Sequence, residues 1–174
     1  MTTIPIIPPF RQSPRPTRLT LDTIVFHATA GASLESDIRA LHAEGYGYHY
    51  LIDRDGKVYK GAPTKMAVAH AGVSVGPQGV GCNRYSIGIS FCNRNDHIEK
   101  ITEDQLASAV ELVKELGAAL PIKWITTHRL ITMDPIHKGR SRKVDPRDFD
   151  LKAMSDETGI PYWEPWRGAI DLPY

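Results

Sequence analysis

Four residues of this 174-residue chain carry side chains suited to hydrolytic chemistry if the fold brings them together: His27, His128, Lys143 and Asp145. Zinc takes imidazole nitrogen, thiolate or carboxylate oxygen, and a catalytic site uses three protein ligands while leaving one position for water. His27, His128 and Asp145 can supply that set for one zinc ion. In "RSRKVDPRDFD", residues 140–150, Pro146 biases Asp145 toward extended backbone. Lys143 and Asp145 then lie on the same side of an extended "KVD". One can hold the metal while the other directs its ammonium group into the same space. Seven histidines offer many other triples, and His137, between His128 and Asp145, is the chief rival ligand.

The elements around these residues must hold them rigidly. "TIVFHAT" predicts a short buried strand with His27 at its C-terminal end, because a β-branched apolar run stops at the small-residue loop "ATAGAS". "KWITT" predicts another, followed directly by His128. Between them come a helix over residues 33–44, capped by Ser33 and stopped by Gly45, and a hairpin turning at Asp55 and Gly56. On its first strand Tyr48, Tyr50 and Ile52 share one side, while His49 and Leu51 share the other. "SIGISFC" reads as a strand after the glycine-rich loop "VSVGPQGVGCNR". Thr102 and Gln105 form a capping box ahead of a helix whose inner face is Leu106, Ala109, Val110, Val113 and Leu116. A last helix is predicted from about Asp148 to Ser155.

Strands alternating with helices imply an α/β class: a single domain with a mixed central β-sheet flanked by α-helices, mixed because one hairpin is antiparallel. Ligands in such sheets bind beyond the strand carboxyl ends, where both site histidines fall. The expected organisation is a proline-rich N-terminal arm over 1–18, a catalytic domain over 19–158 and a C-terminal tail over 159–174 packed on the domain. Trp163 and Trp166 would dock that tail. His49 is expected in the core, and His42 and His97 at the surface.

Composition excludes some function classes. A net charge of +1 gives no global reason to expect nucleic acid, and the basic run "HKGRSRK" has no recognised nucleic-acid motif beside it. No apolar run approaches the roughly 18 to 20 residues of a membrane span, and "IPIIPP" is too short and proline-broken for a signal-peptide core. Cytoplasmic synthesis as a monomer, without membrane or nucleic-acid partners, is expected. Cys82 and Cys92 read as free structural thiols.

The blocks "FHATA", "GYGYHYLIDRDGKVYKG", "AVAHAG", "NRYSIGIS", "TTHR" and "KVDP", in this order from Ile24 to Pro146, resemble the zinc-dependent N-acetylmuramoyl-L-alanine amidases. That family includes phage lysozyme-type amidases and peptidoglycan recognition proteins. The resemblance implies that His27, His128 and Asp145 hold zinc and that Lys143 and Tyr48 are catalytic. It also implies that His70 and Asn83 lie by the substrate groove, and that peptidoglycan is the partner. Many relatives carry a glutamate base where this chain has Ser90, and a serine hydroxyl cannot take that part at neutral pH without a partner base.

The implied activity is hydrolysis of the amide between N-acetylmuramic acid and L-alanine, as a phage endolysin that reaches the cell wall after membrane permeabilisation. The alternatives are a peptidoglycan-binding module without catalysis, and an intracellular amidase that recycles muropeptides.

Overall fold

Thr23–Ala28 is a run of β-branched and aromatic residues, and in the computed structural model, which describes residues 4–132 and 141–165, it is the fully buried second strand. The strands in chain order are β1 (Gln12–Pro14), β2 (Thr23–Ala28), β3 (Tyr50–Ile52), β4 (Val58–Lys60), β5 (Met66–Val68), β6 (Val75–Gly76), β7 (Gly79–Val80), β8 (Ser86–Phe91) and β9 (Trp124–Thr127). The helices are α1 (Leu34–Glu44), α2 (Glu103–Ala119), α3 (His128–Ile131) and α4 (Leu151–Thr158). A five-stranded sheet runs β4-β3-β8-β2-β9. β2 pairs in parallel with β8 and β9, β3 pairs in parallel with β8, and β4 is antiparallel to β3. This is the mixed sheet expected from the sequence.

Alternation along the strands separates two faces. Ile24, Phe26, Ile87, Ile89, Phe91 and Ile125 pack with Leu112, Val113 and Leu116 of α2 and Met154 of α4 in the main core. The opposite face receives Val25 and His27 from β2 and the small residues Ser86, Gly88 and Ser90 from β8, with His27 beside Ser90 in register. That face carries the polar chemistry.

Local capping fixes the helices. Thr102 accepts from the Gln105 backbone and Gln105 answers to the Thr102 N–H at 3.1 Å, closing the predicted box on α2; such a cap is worth about 1 kcal/mol. The buried face of α2 is Gln105, Ala109, Leu112, Val113 and Leu116. Leu106, expected inside, is exposed, because the helix is rotated so that the Gln105 amide can donate to the carbonyls of Ile52 and Cys92. The last helix begins at Leu151 rather than Asp148: Asp148 has a left-handed φ of 57°, and Asp150 caps the helix through the Ala153 N–H. Tyr48 precedes β3 and clusters with Leu51 and Phe10, so the predicted alternation starts only at Tyr50.

Sequence reasoning starts the folded region near Leu19, whereas packed chain extends back to Ile4, and Pro5 O accepts from the Lys60 N–H. The Ile7 N–H donates to Lys60 O, and the Phe10 N–H donates to Gly61 O. β1 pairs antiparallel with β5. Phe10 is 1% exposed and lies so close to Gly47 and Gly61 that a Cβ on either would come within 2.3 and 2.5 Å of its side chain. Arg15 then reaches inward and donates to the carbonyls of Thr64, Asn83 and Ser86. Proline stiffness and a few long-range contacts thus turn the expected arm into a strap. At the other terminus Trp163 docks on β9, donating from its N–H to Ile125 O at 2.9 Å; Trp166 lies outside the described residues.

Candidate metal centre

β2 and β9 are parallel neighbours, so their carboxyl ends open at the same edge, and this brings His27 and His128 together. His27 is the penultimate residue of β2 and His128 opens α3, whose first turn is capped by Thr127 accepting from the Leu130 N–H. Their ring centroids are 4.5 Å apart. Asp145 comes from the far side of the basic loop and is pinned there by its carbonyl, which accepts from the Arg129 N–H at 3.1 Å. All three residues are buried, and one ligand atom from each lies within 4.8 Å of the others. The rival, His137, and most of the basic run lie outside the described residues.

The donor set fits a metal ion. Ligand atoms about 2.0–2.1 Å from a common tetrahedral zinc would lie roughly 3.3–3.5 Å apart. Asp145 Oδ2 is 3.5 Å from His27 Nδ1 and 3.0 Å from His128 Nδ1. His128 Nδ1 hydrogen-bonds the carboxylate, whereas His27 Nδ1 is buried and has no hydrogen-bond partner. A buried lone nitrogen costs free energy unless something else satisfies it, and a cation between the three groups would.

Electrostatics keep His27 and Asp145 in forms that could bind a metal. Burial, reinforced by the charges of His128 and Lys143, pushes His27 down to about 4, so it is neutral at pH 7. Burial alone would raise Asp145, but hydrogen bonding from His128 outweighs it and holds the carboxyl well below the usual range. Lys143 is exposed, two residues before Asp145, and its charge acts on His27. The Tyr48 ring lies 4.9 Å from that of His27, and burial followed by the Asp145 charge pushes its phenol up, leaving a protonated donor. Ser90 Oγ lies buried beside it without a well-formed hydrogen bond.

His70 and Asn83, which the resemblance puts by the substrate groove, hydrogen-bond within the protein. His70 is 6% exposed, with one ring nitrogen against His27 and the other against Ser86. Asn83 Oδ1 accepts from the backbone N–H groups of His70 and Ala71. His70 therefore stands behind the metal centre and has no ring nitrogen left for substrate. Sequence reasoning missed Ser86 and Gly88 altogether. The signal was the large and small alternation in "SIGISF", which marks one strand face crowded by something other than its own side chains. His49 is buried as expected, and His42 and His97 are exposed.

The family model for N-acetylmuramoyl-L-alanine amidase matches residues 17–148. No curated protein sequence matches. Among solved structures, the N-acetylmuramoyl-L-alanine amidase LysC from Clostridium intestinale URNW superposes with a TM-score of 0.69 at 22% identity, covering 92% of this chain and 99% of that one. The amidase AmiD from E. coli, solved with the substrate anhydro-N-acetylmuramic acid-L-Ala-D-gamma-Glu-L-Lys, gives 0.68 at 24% identity over 82% of this chain and 59% of its own. A Drosophila peptidoglycan recognition protein, PGRP-SD, gives 0.54 at 22% identity over 74% and 85%. These similarities establish the sheet-and-helix architecture.

Proposed function

Since the chain belongs to the N-acetylmuramoyl-L-alanine amidase family, we propose that it uses one zinc ion, held by His27, His128 and Asp145, to hydrolyse the amide between the lactyl group of N-acetylmuramic acid and L-alanine in peptidoglycan. The observation that carries this reading is the buried cluster of three ligand atoms with an unpartnered nitrogen on His27. Non-catalytic binding would not need that arrangement.

When bound, zinc supplies a Lewis acid that acidifies water and polarises a carbonyl. Two neutral imidazoles and one carboxylate leave the centre net positive, which suits a reaction that builds negative charge on oxygen. Lys143 stabilises that oxyanion with its ammonium group. Tyr48, kept protonated by burial, donates a second hydrogen bond or passes its proton to the departing amine. With serine at position 90, the protein offers no carboxylate base there.

The proposed setting is a phage endolysin delivered to the wall by a separate membrane-permeabilising protein. Among the described residues no helix is long and apolar enough to cross a membrane. Digestion of purified peptidoglycan should release new alanine amino groups without new reducing sugar ends, should stop with a chelator and should resume on zinc addition. New reducing ends would identify a glycosidase and sink the proposal. Activity on intact sacculi above that on soluble anhydro-muropeptides supports the endolysin setting; the reverse assigns the chain to fragment recycling.

A further inference from the structure

Behind His27 runs a buried line of polar groups whose proton positions follow from counting donors. Ser86 Oγ is 2.6 Å from the Cys82 carbonyl oxygen and 3.1 Å from His70 Nε2. A carbonyl only accepts, so the single hydroxyl proton of Ser86 must lie on the line to Cys82. Ser86 can then only accept from His70, which places the His70 proton on Nε2. Nδ1 of a neutral His70 is therefore a lone pair, and it faces His27 Nε2 at 3.0 Å. That contact needs a proton from His27 Nε2. A neutral His27 is left with its lone pair on Nδ1, the atom that faces Asp145 and lacks a protein partner.

We propose that His70, oriented by Ser86 and the Cys82 carbonyl, is a positioning residue that fixes His27 as its Nε2–H tautomer, so that Nδ1 is presented to the metal before any metal arrives. Ring nitrogens of metal-binding histidines are commonly set by the hydrogen bond made at the other nitrogen. Two further features hold His70 in place. Asn83 Oδ1 accepts from the N–H groups of His70 and Ala71 at 3.0 and 2.7 Å. On β8 a Cβ at Gly88 would come within 2.8 Å of His70 Cγ and 2.9 Å of Nδ1, so the imidazole occupies the space that a side chain would take. The inference rests on reading His27 as a metal ligand, but the tautomer can be measured without metal.

Long-range proton–nitrogen correlation spectra of the metal-free full chain should show His27 protonated at Nε2 and bare at Nδ1. His27 protonated at Nδ1 overturns the inference, whether or not the protein binds zinc. Conversely, a chain that binds no zinc yet shows the Nε2–H form retains the relay and loses the proposed function. Zinc affinity, read by chelator competition, should weaken on the order of 10- to 100-fold in His70→Leu. It should largely recover in His70→Asn, whose amide oxygen sits near the position of Nδ1 and can accept from His27. An affinity unchanged in His70→Leu overturns the proposal. If that variant does not fold, Ser86→Ala tests the same relay: a mixed His27 tautomer supports it, and an unaltered Nε2–H form overturns it.

Discussion

His27 and His49 are both fully buried histidines whose nitrogens are read by neighbouring strands, yet only one has the makings of a ligand. His49 Nδ1 accepts from the Gly88 N–H at 2.9 Å, and its Nε2 donates to Met66 O at 2.9 Å. Both of its nitrogens are satisfied by backbone. The neighbouring Arg15 guanidinium faces the protonated Nε2 and is anchored instead by three carbonyls. His27 has one nitrogen spent on His70 and the other unspent. Burial lowers both, His27 to about 4 and His49 to about 3, so neither exposure nor proton affinity separates them. The count of protein partners does: a buried polar atom left unpaired is uncommon enough to require an explanation.

The comparison can be broken most sharply at His27 itself. His27→Ala should lower bound zinc from about one equivalent to near none and abolish hydrolysis; full zinc content by elemental analysis would make His27 another structural histidine. On the other side of the contrast, Phe10→Ala should cost about 3–5 kcal/mol in denaturant unfolding, since it empties a packed site between two glycines. A much smaller loss would mean that the strap is peripheral to the hairpin carrying His49. Lys143→Ala, made at an exposed position, should reduce kcat on the order of 100- to 1,000-fold with zinc retained. Near-normal turnover would remove Lys143 from the reaction.

At neutral pH the smallest effect belongs to His49. His49→Leu should cost about 1–3 kcal/mol by stranding the Gly88 N–H and the Met66 carbonyl, without changing zinc affinity. The same residue gives a pH dependence. Its folded value, about 3, lies below the ordinary 6.5, so the unfolded chain binds the extra proton between those values. Stability is then complete above pH 6.5 and falls as the pH drops toward 3, by about 1.4 kcal/mol per pH unit from this residue. Urea midpoints across that window should fall less steeply in His49→Leu, with His27 and His70 still contributing; an unchanged slope would mean that His49 is not held neutral.

How far the sequence could be read depends on where each partner lies. β2, β8, β9 and the caps of α1 and α2 are legible because periodicity and capping residues act over a few positions. The ends of β2 and β9, and with them the meeting of His27 and His128, follow from those strands once they are parallel neighbours. β1 with β5 is a three-residue pair made by tertiary contact, and β6 with β7 is a two-residue hairpin about Pro77 and Gln78; neither has a pattern long enough to announce it. His70 shows the limit for the site: "AVAHAG" flags a residue near the chemistry, but its partners His27 and Ser86 come from other strands, 43 and 16 positions away. Leu106 illustrates a different failure, since hydrophobic spacing alone could not reveal that Gln105 would be drawn inside by two carbonyls.

The strap has a practical bearing on protein engineering. Trimming to the span shared with the family, residues 17–148, would discard Phe10 and Arg15. A hollow would open against Gly47 and Gly61, and the oxygens of Thr64, Asn83 and Ser86 would be left to water. Ser86 and Asn83 also brace the His70 imidazole behind His27, so a shortened version would loosen the proposed metal centre from its rear. Fusion partners are better joined ahead of Ile4.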